Sequence, residues 1–246
     1  MVKIYRFLVA AIASVFMSVL VSGSAMAMNG LSIGIIANDS TFDTSGKEQE
    51  GHEVGVNSGS TVEINRIDNV TNDADFGSGF IEYSAGPEDG PGLGITLGIE
   101  YIPGRASLGS KSRTDSDGDT SDDADTGTYT AKAEVSEHVS LYFEPTINVH
   151  DAIGFYGKVG VSTVVVKTLE DIAKGASSSA YGDKRTWGGM YGVGAKVATP
   201  WGIFFKVEST TTKYGSVSMT SDSGNRNTIT AKPEQTSTRL AIGYNF

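Results

Sequence analysis

The chain of 246 residues has no cysteine, three histidines and only 19 basic residues against 29 acidic ones. Without cysteine there is no disulfide framework and no lipid-modified N-terminal Cys. A formal net charge of −10 argues against a nucleic-acid partner, which calls for basic patches. Beyond residue 27 no apolar run approaches the ~20 residues that a membrane-crossing helix needs. What is abundant is Gly, at 31 residues, with many Ser, Thr and Tyr and only 20% charged residues, a composition that reads as all-β.

The first 27 residues read as an address. Lys3 and Arg6 precede an apolar stretch from Phe7 to Val21, then Ser22-Gly23-Ser24 and Ala25-Met26-Ala27, a small-x-small cleavage pattern. Cleavage after Ala27 leaves one domain, 28–246, and removal of Lys3 and Arg6 takes the net charge from −10 to −12.

Period-2 alternation organises the rest. Thr236, Thr238, Leu240, Ile242, Tyr244 and Phe246 share one face against Gln235, Ser237, Arg239, Ala241, Gly243 and Asn245. Ile153, Phe155, Val159, Val161 and Val165 oppose Tyr156, Lys158, Gly160 and Ser162. In the longest run Tyr129, Ala131, Ala133, Val135, Val139, Leu141, Phe143 and Ile147 are expected on one face throughout, with His138 and Glu144 on the other. Eight strands are expected, near 31–42, 74–85, 93–108, 128–149, 153–167, 186–198, 203–219 and 227–246. Short turns at 86–92, 150–152 and 199–202 alternate with polar connections at 43–73, 109–127, 168–185 and 220–226. Alternation within 43–73 allows either strand extensions or a further hairpin, which leaves the strand count open by two.

A soluble β-sandwich would also alternate, with its apolar face inward. The charges discriminate. Glu82, Glu100, Glu144 and Glu208, with Lys158, Lys196, Lys206 and Arg239, stand mid-strand on the polar face, opposite Leu, Ile, Val, Phe and Tyr. Hydrocarbon outside and polar residues within is the arrangement of a transmembrane barrel, and eight strands leave an interior that side chains can fill. Buried charges are costly unless paired, so balanced signs predict a salt-bridged lumen network. Gly94, Gly98, Gly160, Gly192, Gly194 and Gly243 on the inner face would make room for it. Tyr83, Tyr101, Trp187, Tyr191, Trp201 and Tyr244 near strand ends suit interfacial girdles. The fold expected is an eight-stranded antiparallel up-and-down transmembrane β-barrel.

The ending Ile242-Gly243-Tyr244-Asn245-Phe246 resembles the C-terminal signal of bacterial outer-membrane proteins. With Ser140-Leu141-Tyr142-Phe143-Glu144-Pro145 and Tyr156-Gly157-Lys158-Val159-Gly160, it is similar to the outer membrane protein beta-barrel domain group, which includes OmpA-type, OmpX/Ail-type and opacity-type barrels. The resemblance implies that the barrel-assembly machinery reads Ile242, Tyr244 and Phe246 during biogenesis. It implies an outer-membrane location, lipid and lipopolysaccharide as neighbours, extracellular loops and periplasmic termini. With Phe246 last, no peptidoglycan-binding domain is expected to follow.

Little points to catalysis. His52 falls in the first polar connection, His138 in a strand and His150 in a short turn, and no His follows to build a late-strand Ser/His site. Lipid A palmitoyltransferase keeps an apolar lumen, unlike the charged one expected here. Asp115, Asp117, Asp119, Asp122, Asp123 and Asp125 form a candidate for weak Ca²⁺ chelation. Gly118 is misplaced for an EF-hand, and a solvated acidic loop is the competing reading. The function expected is that of a monomeric surface or structural outer-membrane protein with a mostly occluded lumen, acidic loops and a possible extracellular ligand. The alternative is a small porin-like channel.

Overall fold

Strands rich in β-branched and aromatic residues, separated by Gly, Pro and Asp, pair in sequence order around a cylinder. The computed structural model describes residues 29–49, 64–87, 90–115, 127–172, 181–220 and 228–246. The strands are β1 (Gly30–Gln49), β2 (Ile64–Ala85), β3 (Gly92–Asp115), β4 (Gly127–His150), β5 (Ile153–Ile172), β6 (Asp183–Ala198), β7 (Ile203–Tyr214), β8 (Val217–Thr220) and β9 (Thr228–Asn245). All neighbours are antiparallel, and β1 pairs with β9 from Ser32↔Asn245 to Gln49↔Thr228, which closes the sheet. The short β8 continues β7 past a break at Gly215-Ser216 and pairs with the same neighbour, so the closed barrel has eight staves. Closure gives each strand a paired neighbour on both sides through the apolar zone, as a bilayer requires, with the β4–β5 ladder interrupted at Glu144-Pro145.

The connection expected at 43–73 is mostly strand: β1 runs to Gln49 and β2 starts at Ile64, two arms of one hairpin. β3 and β5 likewise extend to Asp115 and Ile172, beyond the expected ends. Residues 50–63, 116–126, 173–180 and 221–227, which join strands at that end, lie outside the described residues, as do 1–28 and the cleavage residues Ala25 and Ala27. The opposite end carries Asn29, Phe246 and the short turns.

From this turn end upward, the outward face is apolar for about half the strand length. On β3, Leu93, Ile95, Leu97, Ile99 and Tyr101 are all exposed, a nine-residue stretch that matches the ~9–11 residues needed to cross a bilayer. Leu31, Ile33 and Ile35, Ile81 and Tyr83, Phe155, Val159 and Val161, and Tyr191 and Val193 continue this belt around the barrel. Above it the outward residues are polar: Asp39, Thr41 and Asp43 on β1, Asp73 and Asp75 on β2, Arg105 and Ser107 on β3.

The long β4 does not hold one phase. Glu137 is the only non-glycine residue with positive φ among those described (51°), and the β4–β5 register slips between Ser136 and Val139. This bulge swaps the faces. Below it Leu141 and Ile147 point outward, whereas above it Val135 is buried and Lys132 exposed. The expectation that Ala133 and Val135 share a face with Leu141 is therefore corrected. A second swap occurs at the Gly215-Ser216 break, after which Val217 and Met219 turn inward.

The ladders also separate above the belt. β2 and β3 pair only from Gly79↔Tyr101 down to Ala85↔Ile95, and β6 and β7 stop at Gly188↔Tyr214. The barrel thus divides at the loop end into two four-stranded sheets, β2-β1-β9-β8 and β3-β4-β5-β6. Phe42, Val217 and Met219 from one sheet pack against Leu108, Val135, Val164 and Val166 from the other, the arrangement of a β-sandwich core.

Candidate functional site: the barrel interior

The interior is stacked in layers. Phe80 and Phe204 (ring centroids 6.1 Å apart) pack with Ile36, Ala198 and Ala241 in the lower interior. The charges lie beside and above them, with Glu82 one inward position nearer the turn end than Phe80 on β2. Alternation aims every second side chain of each strand at the axis, and in a barrel this narrow those chains meet across it.

Seven of the eight predicted charged residues come together as one chain of ion pairs. Lys206 Nζ lies 2.5 Å from Glu82 Oε1 and 2.7 Å from Glu144 Oε2. Lys158 Nζ lies 3.1 Å from Glu144 Oε1 and 3.0 Å from Glu208 Oε2. Arg239 closes the series, 3.1 Å from Glu208 and paired with Glu100. The order is Glu82, Lys206, Glu144, Lys158, Glu208, Arg239, Glu100, in which every base touches two acids. Neutral groups add further hydrogen bonds: Tyr142 donates to Glu82 (2.7 Å), Tyr156 to Glu208 (3.0 Å) and Ser78 to Glu100 (2.6 Å), while Arg239 Nε donates to Asn38 (2.8 Å). Lys158 also sits 3.8 Å above the Tyr142 ring centre. Lys158 and Glu144 are each only 1% exposed, so removing one partner would leave a buried charge uncompensated. Glu144 Oε1 has its Lys158 neighbour at 3.1 Å without hydrogen-bond alignment, the least satisfied atom of the group.

Lys196 is the exception. It makes no ion pair among the described residues and lines a small turn-end cavity of about 30 Å³ with Asn148, Thr146, Ser84 and Asp151. Lys196 sits directly opposite Lys206, and Lys206 takes both Glu82 and Glu144.

Three of the six inward glycines, Gly98, Gly194 and Gly243, make room for rings rather than for charges. A Cβ on Gly98 would meet the Tyr142 ring, and one on Gly194 the Tyr156 ring. Each ring lies flat over its glycine and delivers its hydroxyl to a carboxylate, so glycine at these positions is a packing requirement.

Above the charges runs a layer of neutral hydrogen bonds. His138 Nε2 faces Ser140 (3.2 Å) and Tyr214 (3.3 Å), Tyr214 donates to Gln235 (3.2 Å), and Gln235 donates to Ser237 (3.0 Å). The apolar sandwich core covers this layer, with Val164 and Phe42 almost wholly buried. His138 thus lies in the barrel interior, His150 caps the turn by accepting from Ala152 N (3.1 Å), and His52 lies outside the described residues.

Ile242, Tyr244 and Phe246 face outward at the turn end, with Tyr244 and Phe246 edge to face at 5.2 Å and Phe246 N bonded to Leu31 O (3.0 Å). Asp115 ends β3 instead of lying in a loop, while Asp117, Asp119, Asp122, Asp123 and Asp125 lie outside the described residues. No group of three metal-ligating side chains occurs among the described residues. Sequence reasoning missed Tyr142 and Tyr156 as members of the charge network. Their signal was the pairing of each with an inward Gly one strand away.

No protein-family model matches the chain, and no curated protein matches it. Among solved structures it is similar to Ail, the attachment invasion locus protein of Yersinia pestis, solved with the heparin analogue sucrose octasulfate: 11% identity, 86% of this chain and 99% of that one, TM-score 0.32. It is similar to the outer membrane protease OmpT of Escherichia coli at 11% identity over 92% and 99% of the two chains, TM-score 0.39. For the outer membrane protein OprG of Pseudomonas aeruginosa the values are 11%, 89% and 98%, with a TM-score of 0.39. The architecture itself, a closed antiparallel barrel with an apolar belt outside and charges inside, is that of an outer-membrane β-barrel.

Proposed function

We propose that this chain is an outer-membrane surface protein whose barrel is an occluded anchor and whose loop-end sandwich does the work outside the cell. The observation that carries the reading is the reversal of polarity along the strands. From Leu93 to Tyr101 the outward face suits lipid, and from Arg105 onward it suits water. The termini then lie on the periplasmic side and the loop-end sheets project outward. Phospholipid and lipopolysaccharide surround the belt, and Ile242, Tyr244 and Phe246 present the outward edge that the assembly machinery reads. A single barrel is the working unit.

Occlusion is supported by the layers themselves. The phenylalanine pair, the seven-residue ion-pair chain, the hydrogen-bonded layer and the sandwich core each reach across the axis. Planar-bilayer recording of the refolded protein tests this: silence from a folded, heat-modifiable barrel is expected. Steady unitary conductance would overturn occlusion and favour a small porin-like channel.

A further inference from the structure

β2 and β3 end their pairing at Gly79↔Tyr101, yet β2 continues up to Ile64 paired with β1, and β3 continues up to Asp115 paired with β4. In an antiparallel ladder alternate residues spend their N–H and C=O groups on one neighbour, and the residues between aim theirs at the other side. Above Gly79 that other side of β2 is an open edge. Its pairing with β1 is regular from Thr44↔Val70 to Ile36↔Ser78, and residues 70–78 hold no Pro or Lys, the usual guards of an edge. The facing edge of β3 is guarded, bulged at Ile102/Arg105 and Ser107/Gly109 and carrying Pro103. Among the described residues, Asn72 Nδ2 donates across the cleft to Ser107 O (2.9 Å), and Val70 fills the notch at Gly109, whose φ of +107° keeps that position side-chain-free. The other division, between β6 and β8, is more firmly tied, by Gly215 N to Trp187 O (2.8 Å), Thr186 Oγ1 to Gly215 O (3.2 Å) and Lys184 Nζ to Ser218 O (2.8 Å).

We propose that the β2 edge over residues 70–78 is a strand-addition site, which takes up an extended polypeptide from outside by displacing the Asn72–Ser107 contact. The chemistry of the occupant follows from the two faces it would join. Inward positions meet Phe76 and Leu108 of the sandwich core and call for apolar side chains. Outward positions lie beside Asp73 and Asp75, with Asp39 directly opposite Asp75 and Asp43 bonded to Thr71. Carboxylates facing each other across a pair are unfavourable, and a base on the next strand relieves them. The partner is therefore a segment alternating apolar and basic residues. Backbone bonds supply affinity and the alternation supplies selectivity.

This inference rests on the reading that the loop end projects from the membrane. Hydrogen exchange of the full mature chain in nanodiscs tests it, with an acetylated Lys-Val repeat octapeptide as probe. Before peptide, the edge amides of 70–78 should exchange freely; if they are already protected, projection fails and the site with it. With saturating peptide they should slow by about tenfold or more. A Glu-Val octapeptide, and a Lys-Val octapeptide N-methylated at every second residue, should leave them unchanged. Equal slowing by the N-methylated peptide, or no slowing by the parent, overturns strand addition. Asn72→Ala removes one hydrogen bond of the closed cleft and should tighten probe binding about 5-fold. Unchanged affinity would mean that the contact is not displaced.

Discussion

Within single strands this molecule is built in two opposite ways. Between the turns and Tyr101 the side chains facing out are mainly Leu, Ile, Val and aromatic, and those facing in include all the paired buried charges. Above Tyr101 carboxylates face out, and Phe42, Leu108, Val135 and Val164 face in. The lower half has the constraints of lipid, where polar groups must be enclosed, and the upper half those of water, where apolar groups must be. The ladders follow the same division. They close completely where no water is available to satisfy a backbone edge, and they separate where water is.

The comparison can be tested from its strongest element downward. Lys158→Met leaves Glu144 to Lys206 alone and Glu208 to Arg239 alone, adds one uncompensated buried negative charge to the lower half, and should cost about 3–5 kcal/mol in urea unfolding from micelles. A double variant that also replaces Glu144 by Gln should recover part of the loss, and failure to recover would argue against a coupled network. Leu108→Ala opens a cavity in the upper core and should cost roughly 2–4 kcal/mol. The rise in hydrogen exchange should be confined to residues above Tyr101, and a spread into the belt would show that the halves are not separable. Ile99→Lys places a charge in the belt and should cost about 2–4 kcal/mol, whereas Ser107→Lys, eight residues on, should cost close to nothing. Equal costs would erase the boundary. The smallest effect expected is at Gly98→Ala, about 1–3 kcal/mol because the Tyr142 ring must move, against near zero at outward Gly79, where nothing lies closer than 3.9 Å.

The lower half was legible in the sequence because a strict alternation of apolar and polar residues has one solution when the apolar face meets lipid. Glu82, Glu100, Glu144, Glu208, Lys158, Lys206 and Arg239 all sit on that alternation, and the structure brings them within ion-pair distance. Lys196 fits the pattern equally well and stands apart, since the face a residue occupies does not encode which of two bases directly opposite each other, Lys196 or Lys206, takes the acids. The upper half was not legible for a different reason. Nothing about Glu137 marks it as a bulge, for it is neither Gly nor Asn, and a reader who counts by twos carries the wrong phase through Val135 and Ala133. One clue lay in length. A strand of 24 residues is more than twice what a bilayer needs, so an apolar face continuing above the membrane had to turn inward somewhere.

The Glu137 bulge gives β4 something like a reading frame. Its side chains are parsed in twos, and the single extra residue shifts the parse at the water boundary. Deletion of one residue there would send Val135 out to water and Lys132 into the sandwich core. A change that most surface strands absorb as a small kink would here act as a frameshift, scrambling every face beyond it.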